Sequence, residues 1–483
     1  MTKSFGKTTL SLLLSGFLSF AFAADPKSDQ NKTTTTEKKT MESSAKSSTD
    51  THYLNFEKWR TPQGTEVYFV QAKEIPLIDL DVTFDAGSTR DGTLYGLASM
   101  TAHMLTTGIE GMDENELLNS ISDTGASINA YTNSDMTIVR IRSMSKSDYL
   151  NPAIALFSKI LTKPTFPQSA FTRIQKQVLT GLELDKQSAG AVANKAFTKA
   201  LYGNNPYGHT TSGTEKTVKD LNIDDVKSFY KKYYVAKNAT ITIVGDLSSN
   251  DARAISQRVA QGLPQGEAAP AIAPPTALDK PQTIHIPFDS QQTTILIGSL
   301  GIKKEDPLFF PLLVGNQILG GSGLTSLLFT EVRKERGLAY GANSGFSTRA
   351  ETGSFIINTK TRSEKTNETI QVINKTLDDY IETGPTQEQL DAAKKYLIGS
   401  FPLSFANNSS KLNLLNMITF YHLPENYLNE YIKNIDAVTA KDIQAAFKQV
   451  VHTNDMLTIT VGATPPEANT LTDINVPKAK TQP

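Results

Sequence analysis

LNIDDVKSFYKKYYVAKNATITIVGD, from Leu221 to Asp246, and VTAKDIQAAFKQVVHTNDMLTITVGA, from Val438 to Ala463, align without a gap. Val226 falls on Ile443, Tyr230 on Phe447, Ile241 on Thr458 and Gly245 on Gly462. Each segment reads as a capped amphipathic helix feeding a β-strand that stops at Gly. Upstream, FPQSAFTRIQKQVLTGL matches GPTQEQLDAAKKYLIGS, with Pro167 over Pro385 and Gly181 over Gly399. A match of this length between two parts of one chain is the mark of a duplicated structural unit.

Each copy also begins with strand-like alternation, IPLIDLDVTFDAGS in the first and TTILIGSLGI in the second, followed by a helix and further strands such as DMTIVRIRS and SFIINTKTR. The order strand, helix, strands, long helices, final strand predicts an α+β fold: two homologous modules, each a mainly antiparallel sheet with helices packed on one face. The modules are placed at residues 53–261 and 283–464. GLPQGEAAPAIAPPTALDKPQ, residues 262–282, has the Pro and Ala content of a semi-rigid connection between them.

The chain has 483 residues, too many for one core. Its 48 basic and 49 acidic residues leave a formal charge of -1, which gives no field to draw in nucleic acid or an anionic membrane surface. Residues 1–23 read as a secretory signal: Lys3 and Lys7 precede the apolar run TLSLLLSGFLSFAFA, which ends in the small-x-small pattern Ala21-Phe22-Ala23. That run is shorter than the roughly 20 residues a spanning helix needs. The expectation is therefore a cleaved leader and a periplasmic protein without a membrane span. Residues 24–52, rich in Lys, Ser and Thr, read as a flexible tether, and 465–483 as a tail. The chain has no Cys, which suits export and excludes thiol catalysis and thiolate metal sites.

YGLASMTAHMLTTG, from Tyr95 to Gly108, resembles the helix of pitrilysin/insulinase-type peptidases that bears the inverted zinc motif H-x-x-E-H. Two imidazoles one turn apart hold Zn²⁺ in that motif, and the carboxylate between them takes a proton from the bound water. The corresponding positions here are Ser99-Met100-Thr101-Ala102-His103, so only the last imidazole remains. The family's third ligand, a Glu from a later helix, aligns with Gly181, and its supporting Glu with Ile174; using nearby Glu183 instead would break the apolar register. Independently of alignment, the six His are residues 52, 103, 209, 285, 422 and 452, and no two lie within one helical turn. No metal is assigned to this chain, and His103 reads as a helix histidine left over from descent.

GGSGLTSLLFTEVRKERGLAYGANSGFS, from Gly320 to Ser347, resembles the family segment in which an Arg and a Tyr seven positions apart reach the active site of the zinc-bearing domain. Here they are Arg333 and Tyr340, with Arg336 as a second candidate for the Arg. An Arg can clamp a substrate carbonyl or carboxylate, and a phenol can donate to a tetrahedral oxyanion. Without the resemblance, Arg333 and Arg336 would read as members of a solvated helix face among Glu331, Lys334 and Glu335. Gly320, Gly321 and Gly323 lack the Gly-Lys-Ser/Thr of a phosphate loop and read equally as a substrate-contacting segment or a helix-entry turn. NAYTNSDMT, from Asn129 to Thr137, resembles the family's substrate-pairing edge strand, with an ordinary strand as the alternative.

Some exported bacterial members of the family work as two different chains, one holding zinc and the other the Arg/Tyr pair. The resemblance, spanning about Leu54 to Ala463, implies the second kind. Its implications are a non-catalytic, substrate-binding subunit, a homologous zinc-bearing partner and an unfolded peptide substrate. The rivals are a non-proteolytic scaffold of the same fold and an autonomous peptidase with an unusual site.

Overall fold

The computed structural model describes residues 54–466. The expected leader and tether, and the tail beyond residue 466, lie outside the described residues. In the first module, strands β1 (Glu57–Arg60), β2 (Glu66–Gln71), β3 (Leu77–Phe84), β4 (Ser127–Thr132), β5 (Thr137–Met144) and β6 (Ala239–Gly245) lie in the order β1-β2-β6-β3-β5-β4. In the second, β7 (Gln282–Pro287), β8 (Gln292–Leu300), β9 (Ala339–Ser347), β10 (Ser354–Arg362) and β11 (Leu457–Gly462) lie in the order β9-β10-β8-β11-β7. Reversed and renumbered by five, the second order is that of the first without its extra edge strand β1. Each sheet has one parallel pair, β2 with β6 and β7 with β11, and is otherwise antiparallel. The duplication thus extends to strand order, which the sequence pattern alone leaves open.

The two matching segments explain how this order is built. Asn222 and Thr439 cap the helices Ile223–Tyr233 and Ala440–Val450, each in a reciprocal box with the Asp three residues on. That arrangement satisfies amides the first turn would otherwise leave open. Val226 and Phe229 in one helix, and Ile443 and Phe447 in the other, are buried against their sheets. Each helix then feeds the central strand β6 or β11, and each strand ends at Gly for a steric reason. A Cβ on Gly245 would sit 2.4 Å from the Leu77 carbonyl oxygen, and one on Gly462 would sit 2.5 Å from Thr293 Oγ1.

Within each module the module's own helices cover one face of its sheet, as expected. Ile78, Leu80, Val82 and Phe84 of β3 point into the first core, and Ile295 and Ile297 of β8 into the second. The opposite faces are not left to solvent, because the modules exchange helices. Helix Ala189–Tyr202, from the first module, lays Ala193, Phe197 and Leu201 on Leu296, Leu457, Ile459 and Val461 of the second sheet. Gly298 opens the space for it: a Cβ there would lie 3.0 Å from Phe197 Cζ. Helix Asn408–Phe420, its counterpart, lays Leu412 and Leu415 on Val70 and Val244 of the first sheet.

The second exchange is also polar. The alternation of β3 turns Asp79 and Asp81 toward Asn408–Phe420, where both are fully buried. Arg140 holds Asp81 through Nε and Nη2 at 2.7 and 2.6 Å, and Arg142 holds Asp79 likewise at 2.7 and 2.9 Å. The visiting helix completes the network: Asn416 Nδ2 donates to Asp81 at 2.5 Å, and Arg140 Nη2 donates to Asn413 Oδ1 at 2.7 Å. Buried carboxylates are tolerated because each is paired and hydrogen-bonded on several sides. A second cross-module tie is Asp135, in the β4–β5 turn. It accepts from Tyr207 Oη at 2.5 Å, Tyr421 Oη at 2.9 Å and the Ala350 amide at 3.2 Å.

Candidate functional site

Helix Leu97–Met104 carries Ser99, Ala102 and His103. Its inward side is fixed by burial of Leu97, Ala98, Met100, Thr101 and Met104, and helix Gln168–Asp185 packs beside it. His103 is on the exposed side. Its ring reaches solvent, yet the protein mass around it partly desolvates the imidazole and lowers its pKa from the ordinary value. Ala102 is buried and offers no donor atom. Gly181 stands in the neighbouring helix, where an added Cβ would meet nothing within 4 Å. Ile174, where a supporting carboxylate is usual in the family, is in the apolar core. Glu183 points to solvent and pairs with Lys186 at 2.6 Å. Among the described residues there is no group of three or more His, Asp or Glu placed to hold a metal ion. One imidazole beside an alanine and a glycine does not fit zinc, which needs at least three protein ligands.

The N-terminus of this helix depends on a residue that motif reading passes over. Asp91, buried, accepts from the amides of Gly96 and Ala98 at 2.7 and 2.8 Å. Burial pushes its pKa up to about 7, the two amide bonds opposing the shift. His209 Nδ1 lies 3.9 Å from Asp91 Oδ2, and the ring stacks on Tyr95 at 4.0 Å. Desolvation also lowers the His209 pKa. Both shifts favour the neutral forms. The available signal was an Asp just upstream of a Gly-initiated helix.

In the second module, helix Phe309–Asn316 runs into a wider π-helical turn, Gln317–Gly321, and a second such turn, Thr330–Lys334, contains Arg333. Single π-turns of this kind re-aim side chains. Arg333 Nη1 donates to the Tyr340 carbonyl at 2.9 Å, and its guanidinium lies over the Tyr340 and Phe329 rings at 4.1 and 5.1 Å. Tyr340 is the second residue of the edge strand β9 and is 84% exposed. The structure separates the two candidate arginines. Arg336 is tied to Glu331, Nη1 to Oε2 at 2.5 Å and to the backbone oxygen at 2.9 Å, while Arg333 has no carboxylate partner among the described residues.

Gly320 is a packing requirement: a Cβ would lie 2.3 Å from Ser344 Oγ. Gly323 has a positive φ of 60° and opens an exposed turn bearing Leu324. The stretch Asn129–Thr137 begins in β4, which is an edge strand pairing only with β5, and its remainder forms the hairpin turn and the first residue of β5. Arg333 and Tyr340 are thus brought together, and Ser99, Ala102, His103 and Gly181 share two adjacent helices. No hydrogen bond or ion pair joins the two groups among the described residues.

Comparison with known proteins settles the family. The model "Insulinase (Peptidase family M16)" matches residues 70–215, and "Peptidase M16 inactive domain" matches residues 220–397. A crystal structure described as a peptidase M16 inactive domain from Pseudomonas fluorescens superposes with a TM-score of 0.82 at 37% identity, covering 86% of this chain and 100% of that one. The chain belongs to peptidase family M16. Among curated relatives of this M16 chain, "Non-peptidase homolog YmxG" from Helicobacter pylori is 26% identical over 373 residues, 77% of this chain and 85% of that protein. "Uncharacterized zinc protease YmxG" from Bacillus subtilis is 22% identical over 398 residues, 81% and 95%. The pitrilysin-type resemblance therefore holds, and the non-peptidase relative and the inactive-domain match place this M16 chain with the family's inactive homologues.

Proposed function

We propose that the chain is the substrate-binding, non-catalytic subunit of a pitrilysin-type metallopeptidase, acting with a homologous H-x-x-E-H partner that supplies the zinc. The observation that carries this reading is Arg333: an uncompensated guanidinium, held over the exposed Tyr340 ring, in a chain whose own zinc positions read Ser99, Ala102, His103 and Gly181. An isolated surface Arg needs no such mounting. Stacking and the carbonyl bond restrict its rotamers, so its remaining donors are pre-oriented toward a carbonyl or carboxylate. The Tyr340 hydroxyl provides a donor for an oxyanion. Both act electrostatically, and both are useful only where another polypeptide brings the activated water. In this reading an unfolded peptide lies between the two chains, and the leader delivers the subunit to the periplasm.

The test is reconstitution. The chain is mixed with a zinc-bearing homologue, and cleavage of an unstructured peptide is followed. Activity should appear that neither protein has alone, and Tyr340→Phe should reduce it by about 100-fold or more, the scale of a lost oxyanion donor. A stable complex whose cleavage is indifferent to Arg333 and Tyr340 would instead support the scaffold reading.

A further inference from the structure

The modules enclose a cavity of about 860 Å³ between the outer face of the first sheet, the end of helix Asn408–Phe420 and the β9–β10 turn. Its charges do not balance locally. The four carboxylates on its wall are already held by bases: Glu66 by Arg60 at 2.7 Å, Asp85 by Arg90 at 2.6 Å, Glu305 by Lys303 at 2.7 Å and Glu425 by Lys58 at 3.4 Å. Lys237, also on the wall, pairs with Glu267 at 3.0 Å. Two cations remain without a carboxylate among the described residues, Lys304 and Arg349.

These two are neighbours. The Lys304 amide donates to the Arg349 carbonyl at 2.9 Å, and both residues line the cavity. Each is held by aromatic rings instead of an anion. Lys304 Nζ is 4.4 Å from the Phe309 centroid, and the Arg349 guanidinium lies 5.0 and 4.7 Å from Tyr202 and Tyr207. Ring contacts steady a cation but do not neutralise it. Two side-chain atoms of residues on the lining, Arg349 Nη1 and Thr83 Oγ1, are out of reach of solvent and have no hydrogen-bond partner among the described residues, an arrangement that folded proteins ordinarily avoid. Burial also pushes the Lys304 amine down to about 8, as expected of an ammonium lacking a counter-charge.

Beside it is a pocket of about 490 Å³ whose walls include Phe309, Phe310 and Tyr427, with the carboxylates Asp306, Glu430 and Asp442 also on its lining. Lys304, Glu305, Leu423 and Pro424 line both spaces. We propose that the joined pockets bind an amphipathic anion, its carboxylate or phosphate head held by Arg349 and Lys304 and its apolar body laid against Phe309, Phe310 and Tyr427. The site lies in different elements from Arg333 and Tyr340 and does not depend on the peptidase reading.

Isothermal calorimetry on the purified full chain tests this with four probes: N-acetyl-phenylalanine, its amide, phenyl phosphate and inorganic phosphate. One or both amphipathic anions should bind at least about tenfold tighter than the amide and inorganic phosphate, and the better of the two identifies the head group. Lys304→Met and Arg349→Gln should each weaken the tighter probe by about tenfold, a loss typical of a charged hydrogen bond, with Lys304→Arg restoring it. Thermal melts of each variant confirm that it is folded, and Lys304→Met keeps the test open should Arg349→Gln unfold. Amide and acid binding equally, inorganic phosphate binding as tightly as the amphipathic anions, no binding at millimolar concentration, or indifference to the folded variants would each overturn the proposal.

Discussion

Between β3 and β4 of the first module, and between β8 and β9 of the second, the duplicated fold leaves the same slot, and the two slots have diverged in opposite ways. The first holds helix Leu97–Met104, whose buried side keeps Leu97, Met100 and Met104 in the core while its zinc-motif positions have become Ser99, Ala102 and a lone His103. The second holds two π-turns, one of which carries Arg333 over Tyr340 at the surface. Packing and chemistry therefore rest on different residues of the same element. Small residues, the buried Ala102 among them, can stand at ligand positions without disturbing the apolar residues that fix the helix, so a module keeps its architecture when its site is lost.

The largest effect should fall on the second slot alone. In a reconstituted pair, replacing Arg333 by Ala and Tyr340 by Phe together should lower kcat by about 1000-fold, with thermal stability of the subunit unchanged. If the loss followed unfolding instead, the contrast between the slots would fail.

The exchanged helices offer a second contrast, polar against apolar. Asp81→Ala should lower unfolding free energy by about 3–5 kcal/mol, because Arg140 is left partly buried without its partner. Replacing Asp81, Arg140 and Asn416 together by apolar residues of similar volume should recover most of that loss. Phe197→Ala, in the apolar exchange, should cost a similar amount through the cavity it leaves. No partner substitution offers the same recovery there, so urea midpoints of the four proteins, wild type included, separate the two cases.

Two glycines differ in the space around them. Gly320→Ala should destabilise by about 1–3 kcal/mol, since its Cβ would overlap Ser344. Gly181→Ala should stabilise by up to about 1 kcal/mol, the helix-propensity gain at a position with open space.

A smaller, pH-dependent effect belongs to Asp91. Its folded pKa of about 7 lies above its ordinary carboxyl value, so the native state binds the proton more tightly than the unfolded chain. That contribution is complete below about pH 4 and is lost as pH rises through about 7. Melting at pH 5 and pH 8 should therefore show wild type losing stability relative to Asp91→Asn as pH rises. His103→Ala, smallest of all, should change neither the stability nor the activity of the reconstituted pair.

Much of this architecture is legible in residues 221–246 and 438–463, because capping, helix periodicity and a terminal Gly are local properties that survive duplication. Strand order is not legible, since it depends on which strands meet across long loops. Nor does the alternation of β3 announce that its polar face is covered: Asn416, which bonds Asp81, lies 335 positions away in the chain. The paired Arg and Tyr are visible as a motif, but the choice of Arg333 over Arg336 required seeing Glu331 close on the latter. Lys304 and Arg349 carry no sequence signal as a pair, because only the packing of two modules leaves them without counter-charges.

The absence of a zinc site is tested most directly by the metal content of the isolated chain. Purified full-length protein, dialysed against trace zinc and analysed by elemental mass spectrometry alongside a peptide-cleavage assay, should hold far less than one zinc per chain and cleave nothing. One tightly held zinc per chain, with cleavage abolished by a chelator and restored by zinc, would contradict it.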